Sequence, residues 1–600
     1  MAVAGTGTGP AAAAAAAGGA GGVAGADGLR HSLPAGDAAP AAGGSAAAPI
    51  GGTVLWSGAG GAGGGHLSSG GMAAGLCACN DEYTFVPEYE VKLPTDTTIN
   101  VTIDASTVYQ TIDGFASSDA WDMEYVGKYW STSNKEAIAK LLFSREVDDK
   151  GNSQGIGLSM WRFNLGGGSE EQGDASGIVS DKKERRVDCF LTSANGSYDW
   201  SKSAGRRYFM EKAKEYGCES FVLFSNTPPV YYTYNGQARS DKGAFSNLKT
   251  EHYGDFADFL ATCAKHFVDE GYNITHISPI NEPQYNWNGN EQEGSAWQNT
   301  EVATLAKALD ASLTTKGLSN TQMLLAEAGK WDYLYGNGDA GSARGNVIEA
   351  FFNPNNTSTY IGNLTHLPKL ICGHSYYLDT NWSNMYSVRS SVKSKADQYG
   401  LKVYQTEWSM LSENYEDYAS YGDASYMDLA LSMAKVIHQD LATANVSSWS
   451  YWTTCSRERW SQKSRFYLIR LSPDSNDGES YADLATNGTY KASKNLWVLG
   501  NYSAFVRPGY QRIDLKLEEE TKDFFATAYI SPEKDKLVVV YTNMTDKRAE
   551  INNTFEGLGK EVGEFEQYTT SEAKDLKREP SYNKGVVPAK GISTFIYTLQ

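Results

Sequence analysis

Between Gln110 and Asn501 one pattern of apolar and polar positions recurs: a short apolar run of strand length, then a stretch with apolar residues at helical spacing. Eight such runs are predicted as strands: Thr111 to Ser117, Ile156 to Leu165, Phe221 to Ser225, His276 to Ile280, Met323 to Ala328, Leu370 to Tyr376, Val403 to Thr406 and Ser448 to Trp452. The helical stretches are amphipathic. Over His252 to Val268, residues Phe256, Phe259, Leu260, Cys263 and Phe267 fall on one face, and Met427 to Ile437 carries a similar stripe. Eight strand and helix units predict a closed (β/α)8 barrel over 111–503. An open doubly wound sheet is disfavoured because no Gly-rich phosphate turn follows the first strand. Gly166-Gly167-Gly168 after the second strand lacks the dinucleotide spacing and reads as a tight barrel loop.

Outside the repeat the period changes to two. Tyr89 to Leu93 and Ile99 to Ile103 alternate, as do Phe525 to Ile530, Leu537 to Thr542 and Ile592 to Leu599, with turn-rich pieces such as Ser531-Pro532-Glu533-Lys534-Asp535 between them. Segment 504–600 is therefore expected to form a side β-sandwich, with 81–110 supplying N-terminal strands to it. Residues 1–80 differ again. Blocks such as Ala11 to Ala17 and Gly61 to Gly65 have no hydrophobic period and too little apolar surface to offset ordering entropy, so this head is expected to be disordered.

Composition narrows the partners. A formal charge of −19 argues against nucleic acid or an anionic membrane surface, and no apolar run is long enough to span a bilayer. The seven cysteines lack metal-ligand spacing and build no disulfide framework; Cys263 and Cys372 sit in apolar patterns as small core residues. The sequons at Asn195, Asn273, Asn363 and Asn543 permit secretion without requiring it. The head carries no secretory signal of the usual form, and Leu76-Cys77-Ala78-Cys79 has only a weak likeness to a lipoprotein cleavage box.

The candidate chemistry lies in two stretches. Ser278-Pro279-Ile280-Asn281-Glu282-Pro283 and Val403-Tyr404-Gln405-Thr406-Glu407-Trp408 each end an apolar strand in a glutamate. Either alone reads as a solvated or capping residue. Together, after the fourth and seventh strands of one barrel, both glutamates face the same mouth. A pair of carboxylates, one protonated and one ionised, is what cleavage of a glycosidic bond requires. That chemistry needs neither a metal nor an organic cofactor.

Over roughly 85–600 the chain resembles glycoside hydrolase family 30 of the retaining clan A barrels. The likeness rests on Thr111-Ile112-Asp113-Gly114-Phe115, Ser159-Met160-Trp161-Arg162-Phe163-Asn164, the two glutamate motifs, and the run from Leu496 to Gly509 that leads from the last helix into the side domain. The resemblance implies that Glu282 is the general acid/base and Glu407 the nucleophile. It implies that Arg162 keeps the nucleophile ionised, that Asn281 bonds the sugar 2-hydroxyl, and that His374, Tyr376, Trp452, Trp121 and Asn226 complete the substrate pocket. The runs Phe224 to Tyr231, Gly243 to Leu248 and Asn281 to Trp287 look most like the endo-β-1,6-galactanases of the family. Asn226, where the glucosylceramidase branch carries a tryptophan, weakens a lipid substrate. The expectation is a secreted or lipid-anchored monomer acting on β-1,6-galactan side chains of arabinogalactan. β-1,6-Glucanase, β-glucosidase and xylanase activities remain as rivals, with a non-catalytic carbohydrate-binding protein as the rival of another class.

Overall fold

The computed structural model describes residues 94–458, 462–475 and 484–600. The expected head 1–80, with Cys77 and Cys79, and the strand expected over Tyr89 to Leu93 lie outside the described residues. The first strand, β1 (Thr97–Thr111), is followed by eight parallel strands: β2 (Gly114–Ser118), β3 (Met160–Leu165), β4 (Ser220–Ser225), β5 (Ile274–Ser278), β6 (Gln322–Met323), β7 (Leu370–His374), β8 (Lys402–Glu407) and β9 (Val446–Tyr451). Their order is β6-β5-β4-β3-β2-β9-β8-β7. The ring is completed through 324–328, where the Cys372 and His374 N–H groups donate to Leu325 and Ala328 carbonyls, both at 2.8 Å. This is the (β/α)8 barrel expected from the repeat.

Three predicted strands differ in extent. Thr111 ends β1 rather than opening the barrel. Residues 156–159 precede the ladder, with the Ile156 and Leu158 N–H groups donating to Leu141 and Leu142 at the end of a helix. The run Met323 to Ala328 keeps strand geometry only at its start, because Glu327 turns to φ 47°, a left-handed backbone that interrupts a ladder.

The barrel interior is layered, as alternation along strands requires. Ala116, Met160, Val222, Leu324, Leu370, Cys372 and Tyr404 form one packed apolar cluster inside it. Two residues further along, the same alternation gives Arg162, Phe224, His374 and Thr406. The apolar layer is thus the floor on which a polar layer stands. Between β7 and β8 the register slips, pairing Gly373 with Gln405 but His374 with Glu407. This bulge places Thr406 and Glu407 together at the strand end.

The side domain is a single hydrogen-bonded run of nine strands. Its members are β1, β13 (Gln511–Leu517), β14 (Phe524–Ile530), β15 (Lys536–Asn543), β16 (Ala549–Glu556), β17 (Val562–Ser571), β18 (Lys574–Arg578), β19 (Val586–Val587) and β20 (Gly591–Leu599). They are ordered β18-β17-β20-β15-β14-β13-β1-β16-β19. In a flat sheet β16 and β20 would lie more than 20 Å apart at about 4.8 Å per strand. Yet the rings of Phe555 and Tyr597 are 5.1 Å apart, so the sheet folds over itself into the expected sandwich. Val101, Ile103, Ile513, Val539, Val587 and Phe595 fill its own core. The buried helix Lys494–Ser503 ties the sandwich to the barrel: Asn501 Nδ2 donates to Thr570, and Ser503 Oγ to the Ile156 carbonyl. A small sheet of β10 (Cys455–Arg457), β11 (Ile469–Pro473) and β12 (Gly488–Ala492) follows β9 and was not expected. Among the described residues no helix is long and apolar enough to cross a membrane. The five described cysteines are free. Asn543 is fully buried, its amide donating to the Lys547 and Pro588 carbonyls, so that sequon is closed to modification in the fold.

Candidate active site

The polar layer above the apolar floor is a cluster of buried charges. Arg162 donates to Glu407 Oε1, to Glu327 Oε1 at 3.2 Å and to Asn281 Oδ1 at 3.5 Å. Its guanidinium lies 3.7 Å from the Phe224 ring centre, so the ring forms the wall on which it is held. His374, fully buried, meets Glu282 Oε1 through Nδ1 at 2.9 Å and Glu327 Oε2 through Nε2 at 3.0 Å, with Glu407 Oε2 3.6 Å from Nδ1. Tyr376 donates its hydroxyl to Glu407 Oε2 at 3.2 Å. One oxygen of Glu282, one of Glu407 and a ring nitrogen of His374 all lie within 4.8 Å of one another.

Glu282 stands on a strained backbone at φ 41°. Three bonds hold it there: its N–H donates to the Glu327 carbonyl at 3.0 Å, and its own carbonyl accepts Tyr285 N–H and Trp287 Nε1–H, both at 3.1 Å. Opposite, Gly329 leaves the side chain room; a Cβ there would sit 3.3 Å from the Glu282 carboxyl carbon.

Burial alone would strip His374 of its proton, but Glu407, Glu282 and Glu327 outweigh it and hold the imidazolium up to about 10. Burial likewise works against the charge on Glu327, and Arg162, His374 and Thr406 overcome it, bringing that carboxyl down to about 2. Burial pushes Glu407 up against the opposing pull of His374 and Arg162. It also lifts the Tyr376 phenol well above its ordinary range, so the phenol remains a donor. Glu282, His374 and Glu407 have the spacing of a cation site, but an imidazolium with both N–H groups given to carboxylates has no lone pair for a metal. The donor set fits an ion-paired cluster instead.

The structure brings Arg162, Asn281, Glu282, His374, Tyr376 and Glu407 into this one network. Trp452, just after β9, lies 5.8 Å from the Arg162 guanidinium and meets Trp121 edge to face at 5.1 Å. Trp121 is covered on its other side by the Arg185 guanidinium at 4.1 Å. Asn226, buried just past the end of β4, keeps its Oδ1 without a partner among the described residues. Two residues were missed. Glu327 is a third carboxylate, fully buried, and its signal was a lone acid inside the apolar run Leu324 to Ala328. Asp119, just past β2, is fully buried; burial raises its carboxyl to about 7 despite Arg206, and its Oδ2 has no partner among the described residues. Its position beyond a barrel strand was the available clue.

A (β/α)8 barrel with paired carboxylates at the C-terminal ends of its strands is the framework of a glycosidase. The O-glycosyl hydrolase family 30 model matches residues 98–464, and the chain belongs to that family. It is a glycoside hydrolase with a carbohydrate substrate. An endo-beta-1,6-galactanase of Hypocrea rufa is 25% identical over 464 residues, 75% of this chain and 81% of that protein. A conserved exported protein from Bacteroides fragilis superposes with a TM-score of 0.75 at 30% identity, covering 83% of this chain and 99% of that one. The catalytic domain of the GH30 xylanase C from Talaromyces cellulolyticus superposes at 0.58 with 19% identity, covering 83% and 100%. That last likeness concerns the fold alone.

Proposed function

We propose that the chain is a retaining endo-hydrolase of β-1,6-linked galactan, acting outside the cell on side chains of arabinogalactan. The observation that carries the mechanism is the separation of at most 4.8 Å between oxygens of Glu282 and Glu407. Retaining enzymes hold their carboxyls about 5–5.5 Å apart, whereas inverting ones leave at least about 6.5 Å for a water. The galactan reading is supported by the similarity to the Hypocrea rufa protein and by the motifs around Phe224 and Asn281.

The ion pairs favour one division of roles. Arg162 and His374 place two positive charges against Glu327 and Glu407, which suits Glu407 as the ionised nucleophile, and Glu282 takes the acid/base role that retention requires. A Glu407 oxygen attacks the anomeric carbon, the glycosidic C–O bond breaks, and the leaving oxygen takes the Glu282 proton. In the second half, water gives a proton to Glu282 as its oxygen displaces Glu407 from the anomeric carbon. Arg162 and the Tyr376 hydroxyl orient Glu407. Asn281, its Oδ1 turned to Arg162, offers its amide to the 2-hydroxyl. Trp452 gives a flat face to the sugar, and Asn226 and Asp119 hold unsatisfied polar atoms toward hydroxyls.

Products of arabinofuranosidase-trimmed arabinogalactan, analysed beside a β-1,6-glucan digest, test this. Short β-1,6-galacto-oligosaccharides from the first alone are expected. Products from the glucan alone would overturn the substrate, and release of inverted anomers would overturn the mechanism.

A further inference from the structure

Away from the mouth, a groove of about 600 Å³ lies between the helix Trp382–Gln398, the end of the helix Tyr426–Ala442, and strands β13 and β14 of the side domain. Asp397 and Asn445, which line it, precede β8 and β9. The groove therefore opens at the N-terminal ends of the barrel strands, opposite Glu282 and Glu407. Its volume falls in the range of about 300–1,000 Å³ typical of small-molecule sites.

Its surface is specific in character. Tyr386 is 59% exposed and Tyr109 37% exposed, so part of each ring is open to the groove they line. Tyr109 is held rigid, with the Arg512 guanidinium 3.9 Å from its ring centre and its hydroxyl donating to Asp514 at 2.9 Å. Trp382 is stacked on His438 at 5.7 Å and 15°.

The charged side chains of the groove are already engaged by neighbours in its wall. Lys393 pairs with Asp397, Arg512 donates to Asn445 and Gln110, and Glu520 faces His438 Nε2 at 3.2 Å. Arg512 has no carboxylate partner among the described residues, but it is 8% exposed and its N–H groups are turned to Asn445, Gln110 and the Ala442 carbonyl, so it offers little to a phosphate or an acidic peptide; the polar lining does not suit an acyl chain. His438, 2% exposed, has no partner for Nδ1 among the described residues, a polar atom in the wall that a hydroxyl would satisfy. Aromatic rings, charged groups already engaged within the wall and an unsatisfied polar atom together describe the requirements of a neutral pyranose chain, apolar on its ring faces and rich in hydroxyls.

We infer that this groove is a second, non-catalytic binding site for a neutral oligosaccharide chain, which holds a polymeric substrate on the flank of the enzyme opposite the mouth. The inference rests on the functional reading above only for the choice of probe.

Hydrogen exchange of the full chain carrying Glu407→Gln, with and without millimolar β-1,6-galactotetraose and in parallel β-1,6-glucotetraose, tests it. Protection is expected in two separate regions: 382–398 with 438–445 at the groove, and 283–297 at the mouth. The Tyr386 side chain makes no hydrogen bond or ring contact among the described residues and is 59% exposed, so Tyr386→Ala spares the fold. It is expected to raise the concentration for half-protection at the groove by about tenfold while leaving the mouth unchanged. Protection at the mouth alone overturns the second site and leaves the proposed function standing. Protection by the galactan probe at the groove alone overturns the proposed substrate and leaves the second site standing; no protection by either probe overturns both.

Discussion

Glu327→Gln is the most informative single change, because it removes one charge from the buried cluster while keeping its shape. Glu327 Oε2 meets His374 Nε2 at 3.0 Å, which puts the carboxylate charge on the order of 4 Å from the centre of the imidazolium. At an effective dielectric of about 20, a unit charge at about 4 Å is worth about 4 kcal/mol, or about 3 pH units. Without the Glu327 anion the His374 imidazolium, held up to about 10 partly by that carboxylate, should lose its proton about 3 units lower. The alkaline limb of kcat/KM that follows this proton should move toward acid with it, and at a pH between the two limbs the rate should fall by at least about tenfold. The assay is a pH–rate profile on a short oligosaccharide, read beside the 15N shifts of His374. An unmoved alkaline limb, with a neutral-pH rate within twofold of the parent, would refute the coupling and leave Glu327 a packing residue.

Other consequences follow from the same geometry. Glu407→Ala should lower kcat by at least about 10³-fold, and azide should restore turnover with a glycosyl azide of inverted configuration, detectable by NMR. Gly329→Ala places a methyl 3.3 Å from the Glu282 carboxyl carbon and should cut kcat roughly tenfold with little change in Tm, since the strain falls on the acid rather than the core. The raised imidazolium of His374 contributes stability that is complete below the unfolded value near 6.5 and is lost as pH rises through about 10. Tm should therefore fall across that window, and His374→Gln should flatten the slope. Glu327 contributes in the opposite sense: its stabilisation is present above its unfolded value near 4.5 and is lost as pH falls toward about 2, which acid titration of the Tm would show.

The barrel was legible because its strands and helices differ in apolar period, and the two glutamates because each closes a strand. Glu327 was not. Its run, Leu324 to Ala328, reads as one more buried strand, and the left-handed turn that points its carboxylate at Arg162 and His374 depends on tertiary bonds that no local pattern encodes. Asp119 was hidden for a similar reason: an acid after a strand is ordinarily solvated, and only burial at the mouth changes that. Strands β13, β16 and β17 escaped notice because half-exposed strands such as Ala549–Glu556 carry polar residues at most positions. The slip between β7 and β8, which brings Thr406 and Glu407 to the same rim, is likewise a property of paired strands rather than of either sequence.

The seat of β1 bears on how the chain is made. Val101 and Ile103 pair with Leu517 and Leu515 on one side and with Asn553 and Phe555 on the other, so the first described strand is an interior member of a sheet whose other members all come last. On a ribosome adding about 5–20 residues per second, β1 emerges some tens of seconds before either neighbour exists. During that interval its backbone edges stand open while the barrel assembles behind it. A nascent chain cut off after the last barrel helix would leave such an edge open permanently, so β1 has no seat until β13 and β16 have been made.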